Sequence, residues 1–328
     1  MSTSIRKLSY SLAINEAIYQ MMSVNKNLIL LGQGVKSPWY VGNTCRDLIE
    51  KFGELRVIDT PVSENAMTGA AVGAAITGFP SIIIHPRMDF MLYAFDPIIN
   101  EAANWSYMCG GKSSVPVVIW GVINRKGEQA AQHSQALQAL FAHIPGLKVV
   151  APSNPVDAKG LMIAAIKDKN PVVFIDDRWL YNLESNVPEE IYEIPIGKAA
   201  VIKKGKDITL VSSSYMLTET LKAATELEKN NISAEIVDLR TIKPLDKNLI
   251  FKSVKKTGKL VIIDGGWKSF GINAEISALV TENIFQSLKA PIKRLTLDDI
   301  PAPSSSVLED AYYKKSNDII KLVKSILN

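Results

Sequence analysis

The acidic residue with the clearest chemical context is Glu64, which ends the segment TPVSE at residues 60–64. The next eleven residues run to Ala75, and most of them are alanine or glycine. A carboxylate that opens such a helix is either a charge that stabilises the helix N-terminus or an acid held out of water. These alternatives decide whether Glu64 is structural or exchanges a proton with a bound group.

The sequence around Glu64 supports both interpretations. Pro61 keeps the residue before it extended, Ser63 can cap a helix, and an acid in the first turn is favoured by the unpaired N–H groups. Glycines and alanines spread over residues 66–78 predict a helix that is packed on several sides. A carboxyl group that loses water in such a place can share or donate a proton.

The chain has three histidines, and their contexts differ. His133 lies between a polar loop at 124–129 and an apolar helix, with amide side chains next to it, so it is placed for proton transfer near neutral pH. His143 stands beside a Pro-Gly turn, where we expect it to satisfy backbone groups. His85 precedes a proline at a strand end, and its role stays open.

The sequence lacks the motifs of several common nucleotide-binding, metal-binding and hydrolase sites. Gly-Gln-Gly at 32–34 follows a strand, but Ser37 stands where the dinucleotide fingerprint needs a third glycine. The sequence has no P-loop and no serine nucleophile elbow. Cys45 and Cys109 have no metal-like spacing, so we interpret them as reduced thiols.

The charge pattern and the hydropathy of the sequence argue against two kinds of partner, nucleic acids and membranes. A net charge of +4 with both signs scattered along the chain predicts no nucleic-acid binding. The N-terminal segment is interrupted by polar residues, and no stretch offers roughly eighteen consecutive apolar residues. We therefore expect a cytoplasmic protein that makes no membrane contact.

Strands and helices that alternate along the chain must position these residues, and 328 residues favour two domains. Predicted strands lie near 27–31, 56–59, 81–84, 116–120, 148–151, 171–175, 208–212, 234–239, 260–264 and 292–297. Predicted helices lie near 9–22, 90–107, 155–168, 217–228, 272–285 and 310–327. We predict an α/β fold of two doubly wound domains, over 1–180 and 204–328, joined by an exposed linker at 181–203.

The motifs together resemble a known family. They are TPVSE with its Gly/Ala helix, IINEAA at 98–103, QHSQ at 132–135, PGLKVV at 145–150, VDLRTIKPLD at 237–246, SVKKTG at 253–258, GGW at 265–267, FG at 270–271 and AEI at 274–276. In this order they are similar to the beta subunit of the thiamine-diphosphate-dependent 2-oxo-acid dehydrogenase decarboxylating component, with pyruvate dehydrogenase beta as the nearest type. The resemblance covers nearly the whole chain. It implies a mainly parallel, pyrimidine-binding transketolase-like domain followed by a transketolase C-terminal domain.

The resemblance also implies roles for individual residues. Glu64 matches the glutamate that binds the aminopyrimidine ring of thiamine diphosphate, while Val62 and Phe90 match apolar contacts to that ring. His133 matches a histidine at the active-site entrance that is implicated in substrate binding and in acyl transfer to a lipoyl group. A structural potassium site is implied at the backbone of a further set of residues: Val117, Ala165, Ile166, Asp168 and Asn170.

A missing motif implies a partner. In the family a Gly-Asp-Gly motif holds magnesium and the cofactor's diphosphate, and this sequence contains no Gly-Asp-Gly. These ligands would belong to an alpha subunit, so the resemblance implies an alpha2-beta2 heterotetramer with thiamine diphosphate shared between chains. A lipoyl acyltransferase is a further implied partner.

Departures from the family pattern lie on the substrate side, where we place Arg87 and Gln132. Gln33, the 36–40 loop, residues 86–89 and residues 120–124 all differ from the usual sequence. Three functions stay open: decarboxylation of a 2-oxo acid with transfer to a lipoyl group, transfer to another acceptor such as a sugar or aldehyde, and a non-catalytic scaffold. Arg87 could pair with a carboxylate or phosphate of a substrate, or lie on the surface without such a role.

Overall fold

The structure is a computed structural model and describes residues 6–37 and 41–327. Of the atypical 36–40 loop, residues 38–40 lie outside the described residues.

The first domain is built on a mostly parallel sheet. Across the sheet its strands are β12 (Thr241–Lys243), β6 (Lys148–Val150), β7 (Val172–Asp177), β5 (Val117–Ile123), β4 (Ser81–His85), β2 (Ile29–Gly32) and β3 (Val57–Asp59). All neighbouring pairs are parallel except β12 with β6. The central strands β4, β5 and β7 are buried along their whole length, as expected for parallel strands covered on both faces.

Helices cover both faces of this sheet. They are α1 (Tyr10–Val24), α2 (Leu48–Phe52), α3 (Glu64–Ile76), α4 (Ala103–Met108), α5 (Gln138–His143) and α6 (Pro155–Lys167). Two of these helices begin at a side-chain cap: Ser9 accepts a hydrogen bond from the backbone N–H of Leu12, and Asn154 accepts one from that of Asp157. The predicted helix at 90–107 is a 3₁₀ segment (Met88–Ala94), a π-helical segment (Asp96–Ala102) and α4.

The second domain repeats this architecture on a smaller scale. Its sheet has the order β14 (Lys293–Leu297), β13 (Leu260–Trp267), β10 (Ile208–Ser212), β11 (Ala234–Asp238) and β9 (Ala200–Lys203), with only β9 antiparallel to its neighbour. Its helices are α7 (Tyr215–Glu228), α8 (Lys247–Thr257), α9 (Ile272–Ile284), α10 (Ser306–Tyr312) and α11 (Ser316–Leu327). Short 3₁₀ segments occupy Arg178–Leu180 and Phe285–Ser287. The predicted α/β fold with mainly parallel sheets is confirmed.

The segment between the domains is partly held in place. Its strand β8 (Glu184–Asn186) pairs with β1 (Lys7–Ser9). The fully buried ammonium of Lys159 donates hydrogen bonds to the backbone carbonyls of Pro188 and Glu189. The charged residues that predicted an exposed linker therefore belong to a segment whose backbone is anchored to the first domain.

One apolar core joins the two domains. It includes Ile83 and Val173 from the first sheet together with Val211 and Ile262 from the second. β12 strengthens this junction, because it follows β11 in the chain and yet adds to the first sheet. Among the described residues, no helix is long and apolar enough to cross a membrane.

Candidate active site

Glu64 is the first residue of α3 and is half-buried. Ser63 precedes it but makes no capping hydrogen bond through its side chain, so the expected serine cap is wrong. Val62 is 73% exposed. An acid in the first turn of α3 thus lies near an aliphatic side chain that the described residues leave largely exposed.

Only one side of α3 is packed within the chain. Met67, Ala71 and Ala75 are buried, whereas Ala66, Ala70 and Gly73 on the other side are exposed. The expectation of a helix packed on several sides is therefore not met by this chain alone. A Cβ atom added at Gly69 or Gly73 would meet no atom within 4 Å in the part of the chain that the structure describes.

Phe90 and His133 come together although they are far apart in sequence. Phe90 lies in the 3₁₀ segment after β4, and α3 packs against this segment. The Phe90 and His133 rings meet edge to face, with centroids 5.3 Å apart and planes at 88°. Tyr93, which is 70% exposed, lies next to Phe90 with ring centroids 6.4 Å apart. Gln132 is exposed beside His133.

Two further residues at this site have no role in the sequence analysis. The carboxylate of Asp89 accepts hydrogen bonds from the backbone N–H of Gln135 at 3.1 Å and from its side-chain amide at 2.9 Å. Burial is the main cause that raises the pKa of Asp89. An acid in an otherwise apolar stretch is the only sequence signal for this contact, and it does not reveal the partner.

Arg87 is half-buried at the same edge. Its guanidinium donates to the backbone carbonyl of Pro86 at 2.8 Å and to the side chain of Gln129 at 3.3 Å. Gln129 belongs to the loop that leads to His133. Arg87 is therefore held on the side of the site that faces this loop.

The other two histidines lie in different surroundings. His85 is fully buried at the end of β4, its Nε2 is 3.1 Å from the hydroxyl of Thr68 on α3, and burial lowers its pKa to about 3. It is a neutral core side chain. His143 is exposed at the end of α5.

Four of the five residues assigned to potassium lie at or just after the C-terminal end of α6, and the fifth, Val117, begins β5. Asp168 forms an ion pair with Lys148 and accepts a hydrogen bond from the backbone N–H of Asn170 at 2.9 Å. The carbonyl of Ala165 accepts from the N–H of Asp168 at 3.3 Å. Within residues 6–37 and 41–327, no group of three or more His, Cys, Asp or Glu side chains could hold a metal ion.

The described domains match known protein families. Residues 6–184 match the transketolase pyrimidine binding domain, and residues 197–319 match the transketolase C-terminal domain. The acetoin:2,6-dichlorophenolindophenol oxidoreductase subunit beta of Cupriavidus necator is 45% identical over 324 residues, which cover 96% of each chain. This chain belongs to the transketolase-like beta-subunit family.

Other members of the beta-subunit family are similarly related. The corresponding Bacillus subtilis subunit is 41% identical over 98% of each chain. The pyruvate dehydrogenase E1 component subunit beta of Rickettsia felis is 40% identical over 96% of each chain. A solved structure described as a split gene transketolase, inactive beta4 tetramer, covers 98% of both chains with a TM-score of 0.77 and 21% identity, which shows the shared fold. Glu64, Phe90 and His133 all lie in the pyrimidine-binding domain of this family.

Proposed function

We propose that this chain is the beta subunit of a thiamine-diphosphate-dependent alpha2-beta2 enzyme that decarboxylates a pyruvate-like 2-oxo acid and passes the acyl unit to a lipoyl group. The observation that carries the proposal is the meeting of Phe90 with His133, at 5.3 Å between ring centroids, on a segment that packs against α3. The relatives at 40–45% identity are named as beta subunits of acetoin and pyruvate-converting enzymes, which supports this reaction class.

The side chains at the site suit an aminopyrimidine ring. Glu64 offers a carboxyl group that can share a proton with a ring nitrogen, while Val62 and Phe90 offer apolar surfaces for a flat ring. Thiamine diphosphate, when bound, supplies the electron sink for decarboxylation. His133 then acts at the entrance as the group that moves a proton during acyl transfer. Retention of these residues argues against a non-catalytic scaffold.

The cofactor's diphosphate needs a second chain. The sequence lacks Gly-Asp-Gly, and the described residues hold no acidic or histidine cluster for magnesium. The exposed Val62 and Tyr93, with the uncovered side of α3, offer a surface for an alpha subunit that carries the magnesium ligands. Burial of these apolar groups would favour association and close the site against water.

A different surface suits contact with a second copy of this chain. Phe270 is 97% exposed beside α9, and it borders an apolar groove of about 520 Å³ between α9 and the first domain. Glu275 and Lys247 also line this groove, so a two-fold pairing can place the acid of one copy against the lysine of the other. We expect Phe270→Ser to reduce the heterotetramer to an alpha-beta pair in light scattering, whereas Leu55→Ser, at a side chain that is 90% exposed, does not. An intact tetramer in Phe270→Ser would refute this surface.

Arg87 supports a second candidate acceptor or substrate. It is held at the entrance by Pro86 and Gln129, where a guanidinium can bind a carboxylate or phosphate. A guanidinium in this position can also bind a substrate or acceptor with an added anionic group, such as a sugar phosphate. If so, Arg87→Met raises KM for the anionic compound about tenfold and leaves KM for pyruvate unchanged.

Potassium is the last part of the proposed cofactor set. The Asp168 side chain is bound by Lys148 and by the N–H of Asn170, so the main-chain carbonyls near the end of α6 are the donors that remain for the ion. Exchange of potassium for sodium should then lower the thermal unfolding temperature of the chain. An equal unfolding temperature in both salts would remove potassium from the proposal.

The proton role of Glu64 is tested after co-expression with an alpha-type chain, by thiamine-dependent release of carbon dioxide from a panel of 2-oxo acids. We expect Glu64→Gln to assemble but to lose most turnover, because glutamine cannot exchange a proton. Glu190→Gln, on the exposed linker, is the matched control. Full activity of Glu64→Gln would refute the role.

The shared cofactor site is tested by calorimetry. The chain alone should bind thiamine diphosphate negligibly with magnesium present, and the complex should bind it tightly. Tight binding by the chain alone would contradict the split site.

A further inference from the structure

We propose that Asp89 is a positioning residue that holds the loop carrying His133 against Phe90. The catalytic consequence rests on the proposed function, but the positioning itself does not. Asp89 lies in the 3₁₀ segment after β4, 44 residues before His133 in the chain. It is 4% exposed, so its carboxylate is placed by packing and not by chance at the surface.

The contact of Asp89 is made to the loop backbone as well as to a side chain. One oxygen, Oδ1, accepts both the backbone N–H and the side-chain amide of Gln135. The N–H of Gln135 is partly buried, and a donor there that lost its acceptor would be destabilised, so this loop conformation depends on an acceptor at position 89. Gln135 is two residues from His133, which makes the bond local to the histidine.

The neighbours of Asp89 extend this contact into a regular pattern. Met88 Sδ accepts the backbone N–H of Leu137 at 3.4 Å, and Phe90 meets the His133 ring edge to face. Three consecutive residues of the 3₁₀ segment thus hold residues 137, 135 and 133 of the loop, in reverse order. Asp89 makes the middle contact of the three. It is the only one of them that consists of two hydrogen bonds.

The loop needs such support because it has little regular structure of its own. Lys126, Glu128 and Ala130 have positive φ angles of 56°, 60° and 58°, which non-glycine residues seldom adopt. Its far end is held from the second domain, where Glu309 of α10 accepts the backbone N–H of Glu128. Asp89 provides the corresponding anchor at the His133 end.

The arrangement joins two parts of the proposed reaction. Phe90 is the proposed contact to the pyrimidine ring, and His133 is the proposed proton-transfer group at the entrance. Asp89 acts on the second of these parts, because its hydrogen bonds hold the end of the loop that carries His133 against the Phe90 ring. An error of about 1 Å in such a group can cost about a hundredfold in rate.

The test uses the full-length chain without a partner and compares Asp89→Asn with Asp89→Leu. Asparagine keeps the acceptor oxygen, whereas leucine keeps the approximate size and removes the acceptor. The readout is the ring signal of His133 in histidine-labelled NMR spectra, which the Phe90 ring shifts. With three histidines in the chain, His133→Gln assigns the signal and Phe90→Leu gives its unshifted position.

We expect Asp89→Asn to keep the shifted His133 signal and slow exchange of the Gln135 amide, and Asp89→Leu to lose both. If Asp89→Leu does not fold, Asp89→Ala serves in its place. A shifted signal in both variants would overturn the proposal, because the loop then holds without the acceptor. Loss in both would also overturn it, because the acceptor oxygen alone would not suffice.

In the assembled enzyme the same variants separate the two half-reactions. Asp89→Leu should lower kcat for acyl transfer about tenfold or more, with KM for the 2-oxo acid and carbon dioxide release to an artificial acceptor nearly unchanged. Asp89→Asn should restore most of the transfer rate. Equal losses in both half-reactions would contradict a specific effect through His133. If the complex decarboxylates no 2-oxo acid, the proposed function fails while the NMR result still decides the role of Asp89.

Discussion

At the scale of single residues, the buried carboxyl groups of this protein differ in the hydrogen bonds and charges that stabilise them. Asp176, at the end of β7, is fully buried and accepts hydrogen bonds from the Tyr181 hydroxyl at 2.7 Å and the Trp120 indole at 3.3 Å. Burial, opposed by the Tyr181 hydrogen bond and reinforced by the charge of Asp177, raises the pKa of Asp176 to about 7. No cation is among these causes, so the ionised form is costly in the folded state.

This predicts a pH effect on stability. A carboxyl whose pKa is raised by folding favours the folded state fully below its unfolded pKa, near 3.8, and the benefit is lost as the pH rises through about 7. Asp176→Asn keeps an acceptor for Tyr181 and has no charge. We expect it to increase the free energy of unfolding by about 2–4 kcal/mol at pH 8 relative to the wild type, and by little at pH 4.

Urea denaturation at both pH values measures this difference. Glu190→Gln, an exposed acid, controls for the general loss of a negative charge. A gain that is equal at pH 4 and pH 8 would show that Asp176 is not protonated on folding.

A second prediction at the residue scale compares variants of His133 and His143. Both side chains are accessible, but of the two only His133 meets Phe90. In the assembled enzyme His133→Gln should reduce acyl transfer about a hundredfold, within the usual range for loss of a proton-transfer group. His143→Gln should keep the wild-type rate. Rapid-quench measurement of the two half-reactions separates transfer from decarboxylation, and an unchanged transfer rate in His133→Gln would remove its proposed role.

The sequence alone proposes residues that would carry the chemistry, but it misses the residues that hold them in place. Glu64, Phe90 and His133 are visible because their motifs are distinctive. Asp89 is not, because its contact depends on how a loop more than forty residues away folds back. The expected cap by Ser63 is wrong for a similar reason, since a side-chain rotamer depends on the local geometry and not on residue type alone.

At the scale of elements, strand ends were the least predictable. β7 continues through Asp176 and Asp177, which a periodicity argument assigns to a loop, because Tyr181, Trp120 and Arg125 satisfy these acids in the interior. The predicted 90–107 helix is divided near Pro97, whose ring nitrogen cannot donate a helical hydrogen bond. By contrast β10, a short buried strand without charged residues, has the predicted bounds.

The uncovered side of α3 leads to an element-scale prediction. Glycine inside a helix is less stable than alanine by about 0.5–1 kcal/mol, and a Cβ at Gly73 would meet none of the described residues within 4 Å. Gly73→Ala should therefore raise the thermal unfolding temperature of the chain alone. If α3 packs closely on an alpha subunit, the same change should weaken the complex.

Thermal unfolding of the chain and titration with the alpha subunit measure both effects. Gly121→Ala is the contrasting control, because its Cβ would collide with Met91 Sδ inside the chain, so it should destabilise the chain itself. Unchanged affinity in Gly73→Ala would mean that this side of α3 is not a close contact.

At the scale of the whole molecule, long-range contacts between the domains decide the arrangement. β12 of the second half completes the first sheet, and Gln138 of α5 donates to the buried carboxylate of Asp264 at 3.0 Å. Neither contact has a local sequence signal, because each joins residues about a hundred positions apart. The two-domain class could be predicted from alternating strands and helices, but the junction between the domains could not.

Arg125 is central to this junction. It is buried, pairs with Asp177 at 2.8 Å and donates to the backbone carbonyl of Gly265 in the second domain at 3.0 Å. Arg125→Met leaves Asp177 as an uncompensated buried charge, which costs about 3–5 kcal/mol when one partner of such a pair is removed. We expect that loss in the free energy of unfolding, measured by urea denaturation.

The double variant Arg125→Met with Asp177→Leu separates the charge from the junction. Replacing both partners by apolar groups removes the uncompensated charge, so the double variant should be more stable than Arg125→Met alone. It still lacks the donor to Gly265, so it should remain less stable than the wild type. A double variant that is no more stable than the single one would show that the attraction between Arg125 and Asp177 is not what stabilises the junction. In that case the shared apolar core alone would hold the domains together.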